Sequence, residues 1–111
     1  VSSFYDPSKS HFGIDITCKE EEPIKSVLDG TVLMSSWTKD SGYVKSIIHP
    51  NNLISVYKHN SKVFVEPGQI VKTGDVISII GNTGELSTGP HLHFELWLNG
   101  KSINPSEFIS L

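Results

Sequence analysis

Residues 91–98 read HLHFELWL, with a polar or amphipathic side chain at every second position. Successive side chains on a strand point to opposite faces. An extended chain here therefore sets His91, His93, Glu95 and Trp97 on one face and Leu92, Phe94, Leu96 and Leu98 on the other. The second set is a core face. The first carries two imidazoles and a carboxylate side by side, where a plain solvent face would more often carry Lys, Thr and Ser. The segment HFGIDIT (11–17) repeats the arrangement: His11, Gly13 and Asp15 share one face, Phe12, Ile14 and Ile16 the other. A helix would also bring positions 11 and 15 together, but Gly13 and the β-branched Ile-x-Ile favour a strand.

Taken alone, neither pattern decides its chemistry. An HxH pair reads equally well as two metal ligands or as a polar, pH-sensitive surface. Hx3D by itself is a loop histidine beside a turn aspartate. Together, His11, Asp15 and His93 supply two nitrogens and one oxygen, the donor set of a catalytic zinc site whose fourth position is left to water. Structural zinc sites are usually closed and cysteine-rich, and this chain has one cysteine, Cys18, better read as a small buried apolar residue than as a nucleophile. Zinc lowers the pKa of a bound water from about 15.7 to about 7 and polarises a carbonyl. Such chemistry needs proton-transfer groups that are not ligands. His91, next to His93, fits the first of them. His59, at the end of SVYKH (55–59), fits the second, on a face expected to hold Ser55, Tyr57 and His59 away from Val56. His49, just before Pro50, reads as structural or exposed, and Tyr57 as packing rather than an oxyanion donor. Glu95 lies roughly 7 Å along the strand from His93. It is within reach to brace that ring, but an exposed strand carboxylate is the better reading.

The elements that must position these groups read as strands. GTVLMSS (30–36), YVKSIIH (43–49) and LISVYKH (53–59) alternate or follow turn signals, and Asn52 is placed to close a hairpin between the last two. VEPGQIVKTGDVISIIGNTG (65–84) holds two turns, PG and TGD, around a short strand and a longer apolar one, and LNGK (98–101) turns out of the histidine strand. Short strands punctuated by Gly and Pro predict an all-β, mostly antiparallel domain. No window predicts a long amphipathic helix; the tail NPSEFISL predicts one helical turn capped by Asn104 or Ser106.

Composition bounds the rest. The 111 residues suit one domain with one core, residues 1–111. Hydrophobic content of 37% and charged content of 19% are those of an ordered globular domain. The net charge of −3 and the lack of a Lys/Arg run exclude an electrostatic footprint for nucleic acid. No apolar stretch approaches a membrane span. The chain opens at Val1 with neither Met nor a signal peptide, and reads as a mature domain or a fragment of a longer exported chain.

In order and spacing, HFGIDI, PIKSVLDGTV, YKH, VKTGDVISIIGNTG and STGPHLHFEL resemble the lysostaphin/LytM-type zinc metallopeptidases, over nearly the whole chain from about Ser10 to Pro105. The resemblance implies a mostly antiparallel β domain with an open groove over the sheet. It implies hydrolysis of peptide cross-links in bacterial peptidoglycan, with stem peptides or cross-bridges as partners and an extracytoplasmic location. It carries over one zinc per chain on His11, Asp15 and His93, and two non-ligand histidines, His59 and His91, for protons and the oxyanion. Two departures bear on substrate preference: CKEEEP stands where a glycine-threonine pair is usual, and FYDPSKS lacks an arginine common before the first histidine. The D-Ala-D-Ala peptidases share an H…D…HxH ligand order but space the first pair more widely. A non-enzymatic peptidoglycan-binding or amidase-activating module of the same fold is the alternative, disfavoured because all five positions are kept. A lipoyl-type carrier, suggested by VEPGQIVKTGDVISII, lacks a lysine in a suitable turn.

Overall fold

A computed structural model describes residues 4–17, 22–39, 41–63, 65–80 and 91–108. Among the described residues nine strands form one antiparallel sheet: β1 (Ile14–Thr17), β2 (Pro23–Lys25), β3 (Gly30–Thr38), β4 (Gly42–His49), β5 (Leu53–Val63), β6 (Ile70–Val71), β7 (Val76–Ile80), β8 (His91–Leu98) and β9 (Lys101–Ile103). The main path runs β1-β8-β5-β4-β3-β6; β7 joins through β5 and pairs β2, and β9 pairs β8. Among the described residues the helical elements are three 3-10 turns, Pro7–Lys9, Pro50–Asn52 and Pro105–Glu107. The last is the predicted turn, with Asn104 as its cap accepting from the Ser106 amide. No described helix is long and apolar enough to cross a membrane.

The turn chemistry explains the strand ends. Asn99 and Gly100 both take positive φ, the pattern of a tight primed hairpin, and β9 follows. Asn51 and Asn52 take positive φ in the turn that links β4 to β5, a conformation that Asn tolerates better than most residues. Gly68 and Gly74 supply the left-handed positions before β6 and β7. The sequence reading placed these turns but not β2 or β9, both three residues long. It also ran the first strand from residue 11. In the structure β1 starts at Ile14, because His11 pairs backwards with Asp6 through two backbone hydrogen bonds of 2.8 and 3.0 Å.

The core lies on one face of the sheet. Phe94 and Leu96 of β8 meet Tyr57 of β5, Ile47 of β4, Val32 of β3 and Ile77 of β7, all buried. Burying each large apolar side chain is worth roughly 1.5–3 kcal/mol. Tyr57 and Phe94 pack with ring centroids 5.3 Å apart, and the Tyr57 hydroxyl accepts from the Val27 amide. Tyr57 is thus a core residue, as expected. His49 is a buried structural histidine: its Nδ1–H donates to the Asp29 carbonyl at 2.8 Å, and the Ser55 hydroxyl donates to its Nε2 at 2.7 Å. Cys18 and the GNTG…STGP segment lie outside the described residues.

Candidate active site

Register brings the first groups together. β1 and β8 are antiparallel, with Asp15 directly opposite His93 and Ile14 opposite Phe94. Phe94 and Ile14 belong to the core, so alternation sends Asp15 and His93 to the open face. The β1 backbone runs close over β8 at Gly13. A Cβ built there would lie 2.7 Å from Glu95 Cγ and 3.0 Å from His93 Nε2. Only glycine permits that approach, which lets His11 and Asp15 flank His93.

One ligand atom each from His11, Asp15 and His93 lie within 4.8 Å of one another. The ring orientations are fixed from behind. His11 Nδ1–H donates to the Phe4 carbonyl at 2.6 Å, which leaves Nε2 facing Asp15 Oδ2 at 3.2 Å. His93 Nδ1 lies 2.7 Å from Asp15 Oδ1, and its Nε2–H donates to Glu95 Oε2 at 2.7 Å. Burial by itself would lower the His93 pKa, but the bonds to Asp15 and Glu95 outweigh it and hold the ring above its ordinary value. Asp15 is the complement: burial favours its neutral form, yet His93 and then His11 hold the carboxyl below the usual aspartate value. These are the shifts expected of paired opposite charges.

His59 and His91 complete the cluster. Their ring centroids are 4.7 Å apart, and His59 lies 6.5 Å from the His93 ring. All five groups line one open cleft of about 310 Å³, with Phe12, Ser41 and Lys58 among its walls. A larger apolar cavity of about 600 Å³, lined by Leu53, Leu96 and Phe108, contains none of the five.

His59 does not arrive by the predicted route. Ser55 and Tyr57 face the core, opposite Leu96 and Phe94, and unbroken alternation would send His59 after them. Instead three steps along β5, from Tyr57 to Asn60, span only two steps along β4, from Lys45 to Tyr43. His59 occupies this bulge with φ of +67°, and its amide donates to the Ser41 carbonyl at 2.9 Å. A bulge re-aims a side chain across the sheet. Here it turns His59 towards His91.

Glu95 also departs from expectation. It is no exposed strand carboxylate but 7% exposed. It accepts from His93 Nε2, from Trp97 Nε1 at 2.8 Å and from Lys58 Nζ at 3.1 Å. Burial pushes its pKa up, but these three donors overcome that and hold it at about 2. The period-two run HxHxExW placed Glu95 and Trp97 on this face in the sequence; it carried no sign of the burial of Glu95.

Residues 9–105 match Peptidase family M23. The chain is 39% identical over 97 residues to the peptidoglycan DD-endopeptidase ShyC of Vibrio cholerae, covering 87% of this chain and 22% of that protein. It resembles the catalytic domain of the antimicrobial peptidase lysostaphin from Staphylococcus simulans at 31% identity and a TM-score of 0.81, covering 88% of this chain and 77% of that one. It resembles a zinc-containing peptidase from Vibrio cholerae at 35% identity and the same TM-score of 0.81, covering 85% of this chain and 29% of that one. The curated relatives it matches are much longer, and the chain spans between 22% and 30% of their lengths. With the family profile matched across nearly the whole chain and the lysostaphin-like sheet in place, the chain belongs to Peptidase family M23.

Proposed function

We propose that this chain is the catalytic domain of a zinc endopeptidase that hydrolyses peptide cross-links of bacterial peptidoglycan outside the cytoplasmic membrane. The observation that carries the reading is the juxtaposition of a three-atom ligand cluster within 4.8 Å with a His59–His91 pair in one open cleft. The donors fit zinc. Two imidazole nitrogens and one carboxylate oxygen suit a borderline-soft cation and leave a coordination position for reactants. His11 fits as a ligand through Nε2, because its Nδ1–H is already committed to the Phe4 carbonyl. One ion per chain, held by His11, Asp15 and His93, would supply Lewis acidity that polarises the peptide carbonyl and acidifies water.

The chain's own groups do the rest. His59 and His91 share a wall of the cleft, within reach of a peptide seated over the cluster. One takes a proton from the attacking water; the other steadies the oxyanion, and a proton is returned to the departing amide nitrogen. Asp15 opposes the positive charge that builds on the neighbouring imidazoles. Support for peptidoglycan as substrate comes from the relatives named peptidoglycan DD-endopeptidases.

The test compares wild type with His91→Ala. Zinc per chain is measured on both, and both are incubated with intact peptidoglycan sacculi while released muropeptides are followed by mass. The expected result is zinc in both proteins and cleavage by wild type alone. Zinc-loaded wild type that releases nothing from several wall chemistries refutes the peptidase reading. Loss of zinc from His91→Ala would make His91 a ligand.

A further inference from the structure

Glu95 is the most heavily bonded side chain of the cleft that the proposed reaction does not use. Its two oxygens accept three donors from two strands: His93 Nε2–H and Lys58 Nζ on Oε2, Trp97 Nε1–H on Oε1. It lies beneath the β1 segment, with Gly13 packed on its Cγ. Trp97 carries the connection further, since its indole packs against Phe12 with ring centroids 6.4 Å apart. Phe12 sits between His11 and Gly13 in the sequence. One buried carboxylate thus touches His93 directly and reaches the His11–Asp15 segment through Trp97.

We propose that Glu95 is a positioning residue for the metal centre: it holds the His93 proton on Nε2, so that Nδ1 faces Asp15 as a ligand, and Trp97 and Lys58 fix Glu95 in the orientation that does this. The inference rests on His93 being a ligand. The physical reason is directional. A histidine ring offers one nitrogen to a cation only if the other carries the proton, and a carboxylate partner on the far nitrogen fixes both tautomer and ring plane. Without that partner the ring can rotate or shift its proton, and the cation loses a preformed donor. Trp97 and Lys58 matter because a carboxylate in a buried site needs its remaining lone pairs satisfied. Lys58 also balances its charge.

The test measures zinc affinity by competition with a chromophoric chelator and follows the ring protons of the histidines by NMR on 15N-labelled protein. Wild type is expected to show a His93 Nε2–H that is shifted downfield and protected from exchange. Glu95→Ala should lose that signal and bind zinc roughly tenfold to a hundredfold more weakly. Glu95→Gln is the sharper probe. A carboxamide can accept from His93 only by turning its NH2 group towards the Trp97 N–H, which also donates. Glu95→Gln should therefore weaken zinc, and adding Trp97→Phe should restore part of the affinity. A merely structural role predicts the opposite, a double variant worse than either single one. Wild-type zinc affinity and an unchanged Nε2–H signal in folded Glu95→Ala or Glu95→Gln would overturn the inference. A wild type that binds no zinc would instead refute the metal centre itself.

Discussion

Gly13→Ala is the substitution in which packing and function are most tightly joined. An added Cβ would lie 2.5 Å from the Phe94 carbonyl oxygen, 2.7 Å from Glu95 Cγ and 3.0 Å from His93 Nε2, where ordinary contact begins at 3.4 Å. The shortfalls are 3.4 − 2.5 = 0.9 Å against backbone and 3.4 − 2.7 = 0.7 Å against the stem of a side chain bonded at three points. Neither neighbour can yield cheaply. Phe94 stands in the β8–β5 ladder opposite Tyr57, and Glu95 cannot swing away without breaking its bond to His93. The β1 segment must lift by most of an ångström, carrying His11 and Asp15 from His93. Overpacking of this kind costs about 1–3 kcal/mol of stability, and a displacement of about 1 Å in a reacting constellation can cost on the order of a hundredfold in rate. The assay is a thermal melt, a zinc titration and muropeptide release on the same preparation, all three expected to fall. Gly30→Ala is the control. A Cβ there would collide with the Ile48 carbonyl and come within 2.8 Å of His49 Nδ1, so stability should drop with zinc affinity kept. Gly13→Ala with wild-type zinc affinity would refute the reasoning.

Two further outcomes follow from groups outside the ligand set. Lys45 is 0% exposed and donates to the Val65 carbonyl at 2.7 Å; burial depresses its pKa from 10.5 to about 8, only partly offset by Glu66. The unfolded chain therefore binds more protons between about pH 8 and 10.5, so stability rises with pH across that window, by about 3 kcal/mol in all. Lys45→Met should flatten the rise in urea melts taken at pH 8 and pH 10.5, and an undiminished slope would show that another group causes it. His59 holds a left-handed backbone that Asn tolerates and a β-branched residue does not. His59→Asn and His59→Val should both fail to cut sacculi, with the Val variant less stable than the Asn variant by about 1–2 kcal/mol; equal melting temperatures would remove the strain argument.

The legible part of the site was the part governed by strict alternation. HLHFELWL sorted itself into core and cleft faces, and the β1–β8 register then set Asp15 against His93 without further information. The fold class was equally legible, because turns such as Asn99-Gly100 and the glycines at 68 and 74 fix where strands end. Glu95 was misjudged for a different reason. Its position on the cleft face was readable, but its burial depends on the β1 segment crossing at Gly13 and on Lys58 arriving from β5. Both are contacts between segments far apart in sequence, and period-two reasoning along one strand contains neither.

The error over His59 has a physical lesson about how such a site is assembled. Same-face residues on a strand recur only every ~6.5–7 Å, so one strand cannot supply the whole constellation, and neighbours must supply the rest. The phase of β5 is set by its core residues, Ser55 and Tyr57 against Leu96 and Phe94. That phase presents Lys58, not His59, to the cleft, with Lys58 directly opposite His93. To deliver both Lys58 to Glu95 and His59 to His91, the strand must break step between them. The cost of breaking step is backbone left without its ladder partners, and the sequence meets it one residue later. Asn60, fully buried, donates to the carbonyls of Tyr57 and Tyr43 at 3.0 Å each and accepts from the Ser78 hydroxyl at 3.1 Å. It closes the bulge on both flanking strands at the point where β5 leaves β8 and begins to pair with β7. The irregularity that takes His59 off the Ser55–Tyr57 face is therefore itself encoded, in a left-handed histidine followed by a buried asparagine. The cleft holds adjacent residues of one strand on the same side because that strand changes partners there.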